Sequence, residues 1–227
     1  RSQICNVNII NSSITFASSN ALNIGGLVGS AKNCDFKNIS IENVNIKSDY
    51  LIPYKTTTGE ESIMGGIVGY SQGCSFDHNK FIDSTISGKG SYNNEDIYSG
   101  DVGGIVGLNA GKIDNCYFDG TISVDAEDAV TLSTNKLQNL YSANLFIGGI
   151  IGRQLIGAQS EVVTNCDSIL AVSSNFAGGT NVSAGKISAA DNNITVLDNS
   201  TYARKVTSFD DYPALTESIK QEKLTEE

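Results

Sequence analysis

The sequence predicts an all-β protein, a right-handed β-helix-like solenoid of stacked repeats with a short C-terminal helix. Three observations support this: a glycine-rich segment that occurs four times, a cysteine-containing strand pattern that follows it, and the composition. Of the 227 residues, 40% are hydrophobic and 23 are glycine, whereas proline occurs twice and tryptophan is absent. Such a composition favours short strands joined by tight turns over a helix bundle.

The first repeated element is a six-residue segment with a glycine pair. It reads IGGLVG at 24–29, MGGIVG at 64–69, VGGIVG at 102–107 and IGGIIG at 147–152, so the first glycines lie 40, 38 and 45 residues apart. A glycine pair marks a place where the chain bends or packs backbone against backbone, because a Cβ would clash there. The pairs are Gly25 and Gly26, Gly65 and Gly66, Gly103 and Gly104, and Gly148 and Gly149.

The second repeated element is a strand that contains a cysteine. It reads NCDF at 33–36, GCSF at 73–76, NCYF at 115–118 and NCDS at 165–168, with a partial copy, ICNV, at 4–7. This alignment places all five cysteines at one repeat position, two residues before a position that is apolar in four of the five copies. Such alternation is typical of a half-buried strand.

The cysteines are odd in number and include no CxxC pair, so complete internal pairing is impossible. Stacked strands lie about 4.8 Å apart, and we therefore expect a buried column of free thiols at Cys34, Cys74, Cys116 and Cys166. A disulfide between neighbouring repeats and a thiolate metal site are the alternatives. No cofactor or metal is expected.

The repeats define the expected domain organisation. Residues 1–200 form the solenoid, with repeat cores near 24–46, 64–88, 102–124 and 147–173 and a half repeat at 4–16. Residues 201–227 form a terminal cap or linker, and Pro213 suits the first turn of its short helix. Because the chain opens directly in strand-like sequence, we expect it to be a fragment or mature form of a longer protein, with neighbouring domains as partners.

The Gly-Gly-[Ile/Leu]-Val-Gly core followed by an Asn-Cys-x-Phe strand resembles the GLUG motif family, over roughly residues 4–175. Proteins with this motif include large bacterial surface proteins, among them adhesin-like proteins and the non-catalytic regions of IgA-specific metallopeptidases. The resemblance implies an extracellular or cell-surface location and a structural or adhesive role. The long insertions between repeats in this chain depart from a regular array.

Those insertions, at about 50–62, 89–101 and 125–146, are the expected binding face, since solenoids often bind through loops on one side. Tyr92, Tyr98 and Tyr141 lie in them beside acidic residues and are the candidate ligand-binding residues. The alternative is that these tyrosines close the loops or cover an edge of the solenoid. The expected partner is a glycan or a host surface protein.

Charge excludes two classes of partner. The net charge is −10 and the sequence pI is about 4.5, which disfavours binding to nucleic acid phosphates and to anionic membranes. No stretch approaches the eighteen apolar residues of a membrane span, so we expect no membrane insertion.

Catalysis has weaker support than binding. Many carbohydrate-active enzymes are β-helices, and glycoside hydrolysis needs two carboxyl groups facing one cleft. The candidate carboxylates recur regularly, which favours a role in turns, and the single histidine, His78, lies in an Asn-rich turn. We therefore expect a structural and adhesive region rather than an enzyme, with a passive spacer as the alternative and a carbohydrate-active enzyme as the third hypothesis. The candidate carboxylates are Asp35, Asp77, Asp83, Asp114 and Asp119.

Overall fold

A computed structural model describes residues 1–17, 23–52, 62–90, 99–126, 143–155, 162–176, 180–185, 187–188 and 195–196. These residues form an all-β structure, which confirms the all-β part of the predicted fold class. They contain no helix, and hence none that is long and apolar enough to cross a membrane. The short helix predicted within 201–227 lies outside the described residues.

Sixteen strands follow one another along the described part of the chain. They are β1 (Ser2–Phe16), β2 (Asn23–Gly25), β3 (Val28–Lys32), β4 (Cys34–Ile52), β5 (Ser62–Gly65), β6 (Val68–Asp77), β7 (Lys80–Gly90), β8 (Ser99–Gly103), β9 (Val106–Asp114), β10 (Tyr117–Ala126), β11 (Ala143–Gly148), β12 (Ile151–Gln154), β13 (Val162–Thr164), β14 (Asp167–Phe176), β15 (Thr180–Gly185) and β16 (Thr195–Val196).

The strands form two sheets whose pairings, among the residues described, are all parallel. The smaller sheet has the order β15-β11-β8-β5-β2, and the larger sheet includes the run β14-β10-β7-β4, with β1 paired to β4. Each strand therefore pairs with its counterpart from the next repeat, for example Ser40 with Lys80, and Lys80 with Tyr117. We call one such set of strands a coil.

The core lies along the inner face of these ladders. Phe36 stacks on Phe76 of the next coil, with ring centroids 4.9 Å apart, and Phe81 stacks on Phe118 at 5.5 Å. All four rings are fully buried. Isoleucine and valine fill the equivalent inward positions in other coils, as β-branched residues suit a pleated, buried surface, except that Ser168 is the register partner of Phe118 in β14.

The glycine pairs sit where the smaller sheet passes into the larger one. In all four copies the first glycine faces the carbonyl oxygen three residues later, at 1.8–2.1 Å from where a Cβ would stand. The second glycine faces the carbonyl of the equivalent glycine in the next coil: for Gly104 that position is 2.0 Å from the oxygen of Gly149 and 2.2 Å from the ring of Phe118. Backbone thus packs on backbone at this bend, which we call the glycine bend.

The glycine bend yields a stability prediction. Gly104→Ala should lower the free energy of unfolding by about 3 kcal/mol, because the methyl group meets a backbone oxygen and a buried ring that have no room to move. Urea denaturation followed by circular dichroism measures the change.

Gly73→Asn is the matched control. Gly73 has a positive φ and faces only the side chain of Asn33, which itself has a positive φ. Asparagine tolerates that conformation, so this variant should stay within about 0.5 kcal/mol of the wild type. Equal losses in the two variants would contradict the proposed cause.

Candidate functional site

The candidate ligand-binding residues Tyr92, Tyr98 and Tyr141 lie outside the described residues, but the ends of the strands that flank them are described. Segment 53–61 joins β4 to β5, 91–98 joins β7 to β8, and 127–142 joins β10 to β11. The first strands of these three connections are neighbours in the larger sheet, and the second strands are neighbours in the smaller one. The three segments therefore leave and return at equivalent ends of successive coils.

A second group of recurring features is the set of left-handed corners in the larger sheet. Among the residues that the structure describes, nine non-glycine residues have φ between 48° and 57°, and they stand at three positions of the coil. Asparagine adopts this conformation more readily than other non-glycine residues, which explains the Asn-rich composition. The first position holds Asn33, with Gly73 in the next coil; the second holds Asn6, Asn38, His78, Asn115 and Asn165; the third holds Asn11, Asn43 and Asp83.

Corner side chains of adjacent coils hydrogen-bond to each other. Asn38 Nδ2 donates to Asn6 Oδ1 at 3.1 Å, and Asn43 Nδ2 donates to Asn11 Oδ1 at 2.6 Å. The second and third corners thus form polar ladders on the outside of the stack. A shallow groove of about 360 Å³ runs beside the third corner and is lined by Asn11, Ser12, Ser13, Asn43, Val44, Asn45, Asp83 and Thr85.

Buried polar side chains satisfy the backbone where the ladder breaks at a corner. Asn79 is 1% exposed; its Oδ1 accepts from the N–H of Ile39 at 2.9 Å and its Nδ2 donates to the carbonyl of Phe36 at 3.1 Å. At the next corner Ser84 Oγ accepts from the N–H of Val44 at 2.8 Å. These contacts offset the cost of an unpaired buried amide.

The cysteine alignment made from the sequence is wrong. The strand register pairs Asp35 with Ser75, which places Cys34 beside Cys74. It pairs Asp77 with Asp114 and Lys80 with Tyr117, which places Cys116 beside Asn79 instead of Cys74. Cys166 is next to Cys116 in the following coil, and Cys5 pairs with Lys37. The five cysteines therefore occupy three positions of the coil.

The cause of the misalignment is a local motif that serves at two corners. Cys34, Cys74, Cys116 and Cys166 each follow a residue with positive φ, and each thiol donates to the carbonyl two residues earlier, at 3.1–3.5 Å. The residue before Cys34 and the residue before Cys74 form the first corner, whereas the residues before Cys116 and Cys166 form the second corner.

All five cysteines are free thiols, and only Cys5 is exposed. Cys166 Sγ accepts from the N–H of Cys116 at 3.4 Å, so it serves the same corner that Asn79 serves in an earlier coil. Burial raises the pKa of the Cys74 thiol, and burial together with contact to Cys116 raises the pKa of Cys166. Thiols with a raised pKa are poor nucleophiles and metal ligands, which indicates a structural role.

The five candidate carboxylates are not gathered at one place, although Asp77 and Asp114 are register partners in β6 and β9. Asp77 accepts from Asn115 Nδ2 at 3.3 Å, and Asp114 accepts from Asn165 Nδ2 at 2.9 Å, so each binds the corner asparagine of the next coil. Asp35 pairs with Arg1 at 2.7 Å. Asp83 is itself a corner residue, and Asp119 is buried in β10. Within the described ranges no three His, Cys, Asp or Glu residues are grouped so that they could hold a metal.

His78 also belongs to a corner. It occupies the second corner position, is exposed, and places Nδ1 2.5 Å from Asp77 Oδ1. Partial burial raises the pKa of Asp77, but hydrogen bonds from Asn115, His78 and Lys37 outweigh this, and the pKa lies below its usual value. The pair is thus a polar contact on the surface of the stack, without a nucleophile beside it among the contacts described.

Comparison with known protein families gives one match. The model of the GLUG motif matches residues 98–123, a segment that contains β8, the glycine bend at Gly103 and Gly104, β9 and the corner at Asn115. This segment therefore carries the GLUG motif that the repeat pattern of the sequence resembles. No curated protein and no solved structure matches the chain.

In structural terms, the matched GLUG segment is therefore one glycine bend and one left-handed corner joined by β9. The bend needs glycine because backbones touch, and the corner needs a residue that tolerates positive φ. These requirements concern the fold, and the motif itself places no reactive group.

One buried ion pair was not foreseen from the sequence. Arg153 in β12 donates to Asp101 in β8 at 2.9 Å and lies 5.2 Å from the ring centroid of Phe146. Asp101 is completely buried. The pair connects the two sheets next to the glycine bend. The two residues are 52 positions apart in sequence, so no spacing rule could have found them.

The left-handed corners yield a second prediction. Asn43→Val should destabilise the protein by about 2 kcal/mol, since a β-branched residue is strained at positive φ and cannot hydrogen-bond to Asn11. Asn43→Gly keeps the backbone conformation and loses only the hydrogen bond, so it should cost about 1 kcal/mol. Urea denaturation of both variants tests the order; a glycine variant as unstable as the valine variant would contradict the role of φ.

Asp77 yields a prediction about pH. Its pKa is lower in the folded protein than in the unfolded chain, so its contribution to stability is present above about pH 4 and is lost as pH falls through the folded value. Asp77→Asn should therefore lose less stability than the wild type between about pH 5 and pH 2.

Asn115→Ala removes one donor to Asp77 and should reduce the same acid sensitivity. The acid sensitivity of the double variant should be no smaller than that of Asp77→Asn alone, because both substitutions act through one contact. Thermal unfolding across this pH range measures the effect, and additive changes would refute the contact as its source.

Proposed function

We propose that this chain is part of a right-handed β-helix-like solenoid in an extracellular or cell-surface protein, and that it binds a glycan or host surface protein through insertions on one side. The observation that carries the proposal is the common location of three insertions, 53–61, 91–98 and 127–142, at equivalent strand ends of successive coils.

The parallel ladders support the solenoid. Neighbouring strands in each sheet come from successive repeats, and the register pairs Gly25 with Gly65, Gly65 with Gly103 and Gly103 with Gly148. A stack of this kind presents equivalent loops at one height after another, so separate insertions can contact a single large ligand.

The composition of the insertions supports recognition. Tyr92 and Tyr98 lie in one insertion, which also contains Glu95 and Asp96, and Tyr141 lies in another, which also contains Glu127 and Asp128. Tyrosine offers a flat apolar ring and a hydroxyl group, a combination common at binding surfaces. The GLUG motif is consistent with a surface-exposed repeat region, which such a binding role requires.

Binding is favoured over catalysis by the contacts of the candidate carboxylates. Asp77 and Asp114 are each engaged by a corner asparagine of the next coil, and Asp35 by Arg1. A general acid and base need to face a shared substrate cleft, and these groups hold coils together instead.

The proposal is tested by binding of the purified chain to an array of glycans and of matrix and mucosal proteins. Replacement of 91–98 or 127–142 with Gly-Ser linkers of equal length leaves β7, β8, β10 and β11 intact and should abolish a specific, saturable signal. The single changes Tyr92→Ser, Tyr98→Ser and Tyr141→Ser should each weaken it by about tenfold where that ring contacts the ligand.

The matched control replaces 156–161, which joins β12 to β13 and lies at a different place in the coil. This variant should bind like the wild type. A folded wild-type chain that binds nothing on the array would refute the adhesive function and leave the passive spacer as the better account.

A further inference from the structure

The strand register divides four cysteines into two pairs on adjacent coils. Cys34 lies beside Cys74, and Cys116 lies beside Cys166. Cys74 and Cys116 are each 1% exposed, whereas Cys34 and Cys166 are partly exposed. Neighbouring strands of a sheet lie about 4.8 Å apart, which is within the range of Cα–Cα distances that a disulfide spans. Each pair therefore combines a buried thiol with a more accessible one at a distance that permits a bond.

In the described ladder, the pair of Cys34 and Cys74 has no third thiol next to it. Ser2 is the register partner of Cys34 on one side, and Gly111 lies against the backbone of Cys74 on the other. A Cβ at Gly111 would stand 2.2 Å from the carbonyl oxygen of Cys74. Within the described coils, a reaction between Cys34 and Cys74 therefore has no competing cysteine on either side.

The two thiols of this pair have the same orientation. Cys34 Sγ donates to the carbonyl of Lys32 at 3.4 Å, and Cys74 Sγ donates to the carbonyl of Gln72 at 3.5 Å. A thiol is a weak donor, so either side chain leaves its carbonyl at little cost. The partly exposed Cys34 thiol is open to a small reagent in solution, whereas the buried Cys74 thiol is in reach of its neighbour alone.

A cation lies beside Cys34 and Cys74. Arg1 Nε forms an ion pair with Asp35 at 2.7 Å, and Arg1 Nη2 donates to the carbonyl of Gly73 at 3.4 Å. Asp35 follows Cys34 and Gly73 precedes Cys74, so the guanidinium bridges the two coils next to both thiols. A nearby positive charge favours the thiolate, which is the reactive form of cysteine.

The second pair has a carboxylate in the corresponding place. Asp114 Oδ1 accepts from Asn165 Nδ2 at 2.9 Å, and the Asp114 carbonyl accepts from the Cys116 thiol at 3.3 Å. Burial, contact with Cys116 and the charge of Asp114 raise the pKa of the Cys166 thiol. Because a thiolate is the attacking species in disulfide exchange, we expect Cys116 and Cys166 to react more slowly than Cys34 and Cys74.

We propose that Cys34 and Cys74 form a thiol–disulfide site, at which a low-molecular-weight disulfide oxidises the two thiols to a covalent bond between adjacent coils. The Cys34 thiolate attacks the reagent, a mixed disulfide forms, and one thiolate leaves. The Cys74 thiol loses its proton to solvent, its sulfur attacks the Cys34 sulfur, and the second thiolate of the reagent leaves. The pair of cysteines loses two electrons, and the reagent gains two.

Proximity compensates for the low acidity of Cys74. Burial raises the pKa of its thiol, whereas contact with the backbone of Cys34 and the charge of Arg1 lower it, and burial outweighs both. The thiolate fraction is therefore small, but a sulfur held on the adjacent strand attacks at a high effective concentration.

The bond connects two coils across an insertion. Cys34 and Cys74 lie 40 residues apart, and the segment 53–61 lies between them. A cross-link that closes a loop of this size restrains the unfolded chain and should lower the equilibrium constant for unfolding about a hundredfold. Oxidants of this class act on proteins outside the cytosol, so the site suits the location proposed above, and it is independent of any ligand of the insertions.

The test exposes the full wild-type chain to oxidised glutathione under native conditions and stops the reaction by alkylation. Peptide mapping by mass spectrometry then measures each cysteine as free, glutathionylated or cross-linked. The Cys34–Cys74 bond should form about tenfold faster than a Cys116–Cys166 bond. Cys5 is the internal control: it is exposed and its register partner is Lys37, so its mixed disulfide should persist.

The variant Cys74→Ala separates the two steps. Glutathione should accumulate on Cys34, because no neighbouring thiol displaces it. Urea denaturation of the oxidised and the reduced wild-type chain measures the effect of the bond on the unfolding equilibrium.

Three results would overturn the proposal. They are glutathione that persists on Cys34 beside a free Cys74 as it does on Cys5, a cross-link that forms only after urea has unfolded the chain, and equal rates for the two pairs. All three are measured on the wild-type chain, so a variant that fails to fold cannot produce them.

Discussion

The fold depends on the need to satisfy the backbone at each point where a parallel ladder turns a corner. Residues such as Asn38 and Asn43 leave the ladder because their φ is positive, and the amides that follow them are buried. An unpaired buried amide costs about 1–3 kcal/mol. Such a corner therefore needs a residue that tolerates the bend and, where the following N–H is buried, a separate polar group that accepts it.

The next coil supplies the acceptor. Asn79 serves Ile39, Ser84 serves Val44, and Cys166 serves Cys116, so three different side chains perform one task. This dependence runs from each coil to the following one, which makes a single coil incomplete by itself. It also explains why Asn79 and Ser84 are buried beside a core rich in isoleucine, valine and phenylalanine.

The sequence contained enough information for the all-β fold class and for recognition of the GLUG motif at 98–123, because the glycine bend leaves a contiguous signature. The cysteine alignment made from the sequence is wrong, because a left-handed residue followed by cysteine occurs at two different corners, as at Cys74 and Cys116. Asn79 and the pair of Asp101 and Arg153 could not be found from sequence, because their roles depend on residues 40 to 52 positions away. The binding tyrosines remain a prediction.

The same constraint explains where the chain tolerates insertions. The glycine bend has no spare volume at its backbone contacts, and the corners at Asn38 and Asn43 are tied to the next coil because the N–H groups of Ile39 and Val44 donate to Asn79 and Ser84. Three connections join the larger sheet to the smaller one after the last corner of the coil. They run from β4 to β5, from β7 to β8 and from β10 to β11. Length and composition can vary there without disturbing a ladder. A repeat fold of this kind separates the residues that stack from the residues that are free to acquire a ligand.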